Sequence, residues 1–301
     1  REICGRHALS AREVSVGFPG SCPVFLVDQR HGVKLFPPMV ETDQPREVFC
    51  YERLSGKDDL IPELLGCGTL EDRVSWPYLI VEYRKGVAIR DLFNRLGNSD
   101  RIQVAKRVAQ LTSSIHSVTV DGEEEQFPDW SSFLSKHQEA LASAHLEGSA
   151  EMHVEASSLS KQVCQEMPAY VQAYLDPSPK RTLIHGDLTE DHLLLEQVDE
   201  QFRPTALIDF ADALIADVSY EWVALCLGML NSDPEMIRAF FDAYNGERID
   251  LAWRQKMFSW TLAHQFGPGI VKGFLEQQGK PKIERLEDLM EMMWPKAMEH
   301  A

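Results

Sequence analysis

Two aspartates close together in the chain, each preceded by an apolar run, are the residues best placed to do chemistry. They lie in LIHGDLTEDHLLLEQVDEQFRPTALIDFADA, Leu183 to Ala213, where Asp187 follows Leu-Ile-His-Gly and Asp209 follows Ala-Leu-Ile. Such runs read as short strands, and an acid just past a strand end is left facing a cleft. There Asp187 could accept a hydrogen bond from a substrate hydroxyl and aim it. Asp209 could offer oxygen to Mg²⁺. One aspartate after a strand is commonly no more than a turn residue. Two of them, 22 residues apart, point to a site.

Phosphoryl transfer uses these two functions and few others, chiefly a cation on the nucleotide phosphates and backbone donors over them. Lys34, in GVKLF, is a lone basic residue in an apolar strand, costly to bury without an anion. Glu47, 13 residues on and at the start of REVFCYERL, is a sensible partner. A surface lysine beside a helix N-terminal acid is the blander reading of the same pair, and Glu52 is the competing glutamate. In GFPGSCPVFLV, Gly20 and Ser21 precede a strand, where bare N–H groups could cover phosphates. By itself that stretch is equally a simple turn.

The elements that must position these residues can be read from periodicity. CPVFLVD and HGVKLF read as two strands joined by a hairpin at QRHG. PREVFCYERLSG reads as a helix, with Val48, Tyr51 and Leu54 on one side and Gly56 as its stop. IPELLGCGTL and PYLIVEY are further strands. The charged Arg84–Gly86 breaks the β pattern, and most of the chain beyond it is helical, so a lobe boundary falls there, giving lobes 1–84 and 85–301. From Ile102 to His116, Val104, Val108, Leu111 and Ile115 share one helix face. The acid run in DGEEEQFPD reads as a solvated loop. Helical material is expected from Trp130 to about Tyr174, broken near Gly148. Two short strands then lead into the two aspartates, and the tail from Val218 is helical. Asp217 reads as a helix N-cap. Asp212 could reach metal or substrate. Trp253, Phe258, Trp260 and Phe266 could line a pocket, but their helical spacing assigns most of them to the core.

The 301 residues allow two lobes, and the 44% hydrophobic and 26% charged fractions are those of a globular protein. The formal net charge of −17 argues against a nucleic-acid partner and suits a cationic small molecule, although acidity also simply aids solubility. Six scattered cysteines fit neither a zinc site nor a disulfide framework, so a cytoplasmic setting is expected. No apolar run approaches the ~20 residues needed to span a bilayer, and no signal segment opens the chain. It begins at Arg1, as a trimmed chain or part of a longer polypeptide would.

HGDLTEDHLLL followed by ALIDFADALIADVSYEWVAL resembles the aminoglycoside phosphotransferase and choline kinase-like superfamily, whose core reads roughly HGDxxxxN and then IDFxxA. The resemblance implies a protein-kinase-like, bilobal α+β fold with a β-rich N-lobe and a mainly helical C-lobe. It also implies ATP- or GTP-dependent phosphorylation of a small-molecule hydroxyl, with Mg²⁺. On the matching positions Asp187 would be the catalytic base and Asp209 the principal Mg²⁺ ligand. His185 would be a structural member of the loop, and Lys34 with Glu47 the lysine–glutamate pair at the phosphates. YLIVEYRKGVAIRDL resembles the interlobe segment, where main-chain groups of Glu82, Tyr83 and Arg84 would meet the base. The resemblance is most specific over 183–222 and less so over 16–90. The substrate lobe, 120–180 with 231–301, matches nothing we can name.

His192 stands five residues after Asp187, where most of the superfamily has asparagine. Imidazole favours softer ions than Mg²⁺, so the change fits a weakened second metal, a single-metal mechanism or a pseudokinase. Macrolide phosphotransferases, which this stretch also resembles, tend to carry histidine there. With Lys34 and both aspartates retained, an active enzyme is the reading we adopt. The spacing of His185, Asp187 and His192 does not suit zinc. A protein kinase is unlike this chain, which has no H-R-D-L-x-x-x-N, D-F-G or A-P-E set. A nucleotide-binding pseudokinase, or an accessory kinase-like domain of a longer protein, remains the alternative.

Overall fold

Alternation along one strand decides which way the first lobe faces. In the computed structural model, which describes residues 1–17, 20–120, 122, 124–147, 158–178 and 180–300, β1 (Val14–Val16), β2 (Val24–Val27) and β3 (His31–Leu35) form antiparallel pairs. Asp28 and Gln29 close the β2–β3 hairpin with φ of 51° and 49°. β4 (Leu64–Glu71) and β5 (Ser75–Glu82) complete a five-stranded sheet in the order β1-β2-β3-β5-β4. Successive side chains of β3 point to opposite faces. Val33 goes to a small core with Val27, Tyr78 and Ile80, capped by Ile3 and Cys4 of a short helix, α1 (Glu2–Arg6). Lys34 therefore goes to the other face, with Phe36, where α2 (Asp43–Leu54) lies across the sheet. The hairpin, the helix and both later strands match expectation, whereas α1 carried no signal we recognised.

The chain leaves this sheet after Glu82 and enters another at β6 (Val87–Ala88), which pairs with β8 (Leu193–Val198); β8 in turn pairs with β9 (Gln201–Leu207). A second small sheet joins β7 (Thr182–Ile184) to β10 (Leu214–Ala216). Our expectation of two strands in this stretch is corrected to four. β8 and β9 escape notice because their hairpin turns on Asp199 and Glu200, at φ of 49° and 66°, rather than on the glycine or asparagine that usually advertises such a turn.

Helices make up the rest. A short α3 (Ile89–Leu92) precedes α4 (Asn98–His116), whose Val104, Val108, Leu111 and Ile115 are all buried. α5 (Trp130–Glu147) and α6 (Lys161–Tyr174) flank a segment that includes Gly148 and lies outside the described residues. α7 (Val218–Ala224) runs into a π-helical turn, Leu225–Met229, followed by α8 (Pro234–Tyr244), α9 (Leu251–Ala263), α10 (Gly267–Gln277) and α11 (Leu286–Met293). Trp253, Phe258 and Trp260 are core residues, while Phe266 is 43% exposed. All six cysteines are free. Among the described residues no helix is long and apolar enough to cross a membrane.

One apolar core runs from Phe36 and Phe49 in the first lobe through Val104 and Leu183 to Trp294. The linker is fitted closely onto the second lobe. A Cβ at Gly86 would stand 2.6 Å from Thr205 Oγ1 and 2.8 Å from Leu194 Cβ, whereas one at Gly97 would meet nothing nearer than 3.8 Å. Gly86→Ala is therefore expected to lower unfolding free energy by about 1–3 kcal/mol, the usual cost of overpacking. Gly97→Ala should be close to neutral, and urea denaturation of the two variants compares them.

Candidate active site

The first lobe contributes a cation. Lys34 Nζ lies 2.7 Å from Glu47 Oε2 and 2.7 Å from Asp209 Oδ1, and Lys34 is only 8% exposed. Burial by itself would drive the ammonium toward neutrality, but Glu47 and then Asp209 overcome it and raise the lysine pKa. For Asp209, burial pushes upward and Lys34, then His192, pull downward, leaving it at about 2. Glu47 is wholly enclosed, and burial holds its carboxyl at about 7 against the pull of Lys34. Glu52, the competing glutamate, is exposed.

Both turns that carry the aspartates need unusual backbone. Past β7 the chain reverses at Gly186, where φ is +80° and an added Cβ would sit 2.0 Å from the Asp212 carbonyl oxygen. Past β9, Asp209 itself takes φ +68°, a left-handed conformation more tolerable in aspartate than in most residues. His185, fully buried, bolts the two turns together. Its Nε2–H donates to the Ile208 carbonyl at 3.1 Å, and its Nδ1 accepts from the Asp187 N–H at 3.3 Å. Burial holds this ring neutral, with a pKa near 3. Asp187 is raised to about 6, first by burial, with Asp212 and Asp209 adding to the rise and His192 opposing it.

His192 Nδ1–H donates to the Asp187 carbonyl at 2.7 Å and lies 3.6 Å from Asp187 Oδ2. In a neutral ring, an Nδ1–H given to that carbonyl would leave the lone pair on Nε2.

Glu221, which our reading missed, and Asp217 and Asp212, which it named, surround these turns. Glu221, 1% exposed, accepts from the N–H of His185 at 3.1 Å and from that of Gly186 at 2.9 Å. Burial pushes its carboxyl to about 8, against those two amides. The available signal was an acid alone within the apolar run YEWVAL. Asp217 caps α7 through Ser219 at 2.8 Å, as expected, and also accepts from the Ser178 N–H at 2.5 Å. Asp212 accepts from Gln265 at 3.2 Å and faces Arg46, which opposes the rise that burial imposes on its carboxyl.

Gly20 and Ser21 lie in the β1–β2 turn, exposed, with open space around Gly20. The turn ends beside the ion pair, since Val24 sits directly across from Lys34. Of the interlobe residues, Glu82 spends its N–H on the Glu63 carbonyl and Tyr83 on that of Arg30, both at 2.8 Å. Those two amides are not available to a ligand.

The donor set fits a hard cation only in part, as for a metal that nucleotide phosphates help to hold. Lys34 takes Asp209 through Oδ1, and Asp187 and His192 are near enough for their charges to be felt at Asp209. Among the described residues, no three His, Cys, Asp or Glu side chains already surround one point.

Glutamine at 221 would keep the shape but only one acceptor oxygen, orphaning a buried amide. Glu221→Gln is thus expected to cost about 1–3 kcal/mol of stability by urea denaturation. Alongside it, amide exchange at His185 or Gly186 should quicken; unchanged protection there would refute the anchoring role.

Comparison with known proteins bears on the fold and the family. Among solved structures, the GDP complex of wild-type aminoglycoside 2'-phosphotransferase-IIIa superposes with a TM-score of 0.69 at 19% identity, over 97% of this chain and 94% of that one. A GDP and kanamycin complex of APH(2")-IIIa gives 0.66 at 20%, over 95% and 93%. An APH(4)-Ia mutant with ADP and hygromycin B gives 0.62 at 17%, over 97% of each chain. At such identities the likeness speaks for the protein-kinase-like bilobal fold. No functionally curated protein matches. A family model, that of the phosphotransferase enzyme family, matches residues 20–256, and with most of its length so covered the chain belongs to that family.

Proposed function

We propose that this protein transfers the γ-phosphoryl group of ATP or GTP to a hydroxyl of a small molecule, of the aminoglycoside or a related antibiotic or metabolite class. The observation that carries the reading is the buried Lys34 ammonium, held by Glu47 and Asp209 with Asp187 alongside. Lys34 would meet the nucleotide phosphates, with the N–H groups of Gly20 and Ser21 above them. Asp187, ionised above pH 6, would accept the hydrogen bond of the acceptor hydroxyl and aim its oxygen at the γ-phosphorus. Asp209 and His192 would hold Mg²⁺, which when bound offsets phosphate charge. In the interlobe segment the Glu82 carbonyl and the Arg84 N–H would be the groups that meet a purine edge. A division into lobes 1–84 and 85–301 would put the nucleotide between them. The net charge of −17, and the kanamycin and hygromycin B in the complexes of similar proteins, favour a cationic acceptor.

Product mass should be followed with MgATP and MgGTP against kanamycin, gentamicin, streptomycin, hygromycin B and a set of metabolite alcohols. A phosphorylated product is expected from at least one, and Asp187→Asn should slow it by roughly 10²–10⁴-fold. Silence across the panel by an enzyme that binds nucleotide would favour a pseudokinase. Because the base must be deprotonated, kcat/KM should fall about tenfold per unit below pH 6 and level off above it. Asp209→Ala should abolish turnover while circular dichroism stays native; retained turnover would overturn the metal assignment.

A further inference from the structure

The linker between the lobes is stitched to the strand that comes after the catalytic loop. Lys85 Nζ lies 2.9 Å from Glu196 Oε1, and Val87 and Ala88 pair with Leu195 and Leu194. The stitching continues beyond β6, onto the loop itself. Arg90, in α3, donates its backbone N–H to the Glu190 carbonyl at 3.2 Å. Its Nη2 stands 3.2 Å from Glu190 Oε1 and 2.5 Å from Asp191 Oδ2. Glu190 and Asp191 are two of the four residues between Asp187 and His192.

The other side of the loop rests on Gly228, in the π-helical turn. A Cβ there would come within 3.1 Å of Glu190 Oε2 and 3.3 Å of Thr189 Cα. Single π turns inside helices are frequent at functional sites. Here the widened turn presents a bare glycine to the loop, while Arg90 closes over the loop from the linker.

We propose that Arg90 is a positioning residue, which fixes the Asp187–His192 loop and ties it to the linker along which a nucleotide base would lie. The second half rests on the phosphotransferase reading; the first does not. The charge pattern gives the need. Asp187, Glu190 and Asp191 crowd a five-residue stretch, with Asp209 and Asp212 near Asp187, so the loop repels itself unless a cation is supplied. One nitrogen of Arg90, Nη2, meets both carboxylates, and a guanidinium keeps its charge at every working pH. The Arg90 side chain is 54% exposed, so these pairs are too weak to govern global stability and act on loop order instead.

Amide exchange by mass spectrometry over residues 187–192 tests this in the full chain, with and without ADP and Mg²⁺. In Arg90→Ala, exchange without nucleotide is expected to be ~3- to 10-fold faster than in the wild type, at unchanged Tm. Arg90→Lys should fall between. ADP should slow this loop in the wild type and do so far less in Arg90→Ala, although calorimetry finds the nucleotide still bound. Equal nucleotide-free exchange in the wild type and Arg90→Ala would overturn the positioning role. Undiminished ADP protection in Arg90→Ala would overturn the tie to the linker. If the wild type binds no ADP, the nucleotide reading and with it the tie to the linker fall, and the nucleotide-free comparison still decides whether Arg90 fixes the loop.

Discussion

The Lys34 ammonium is buried against two carboxylates, one from each lobe, and that pairing ties the lobes to each other. Removing a charge from water costs several kcal/mol, recovered only with good geometry and full partnering. Strand alternation sends Lys34 to the same side as Phe36, so α2 has to lie there with Glu47 turned inward. The second carboxylate comes from 175 residues away, at the end of β9. The lysine is thus a contact between lobes as well as a charge within one of them. The single apolar core that continues from Phe49 to Leu183 holds the three groups in register.

Within the second lobe the difficulty is to aim two acids into one space without their repulsion opening it. The structure treats them differently. Lys34 holds Asp209 ionised to about pH 2, while burial and neighbouring acids lift Asp187 to about 6. The two environments push these carboxyl groups apart, leaving Asp209 a constant anion and Asp187 able to take up a proton near pH 6. His185 and Glu221 make the arrangement rigid by satisfying the backbone of both turns from inside the core. Gly186 is required because the Asp212 carbonyl takes the space that a side chain would need.

The acid excess seen in composition is not spread evenly about the cleft. Glu190 and Asp191 share Arg90, Asp43 is paired with Arg46, and Asp212 is bonded to Gln265. Much of the negative charge at the cleft is therefore partnered before any ligand arrives, and among the described residues Asp187 pairs with His192 and with no Lys or Arg. Whole-chain charge argues for the class of partner, whereas these local pairs govern what the cleft can offer it.

Strong local patterns were legible from sequence: the β2–β3 hairpin, α2, the buried face of α4, and the two aspartates after apolar runs. Lys34 and Glu47 could be named as partners because a lysine in an apolar strand needs an anion, a rule that holds wherever the strand lies. Interactions that depend on distant chain were not legible. Glu221 and Arg90 drew no reading from the sequence, because the two amides met by one and the two acids met by the other come from distant chain. The β8–β9 hairpin was hidden because tertiary pairing, rather than a glycine, imposes its left-handed turn. Sequence by itself determined which residues could do chemistry, since residue type and local periodicity are short-range properties. Only the tertiary structure decided which of them meet, because Lys34 and Asp209 become neighbours only once the helices and sheets between them have been buried.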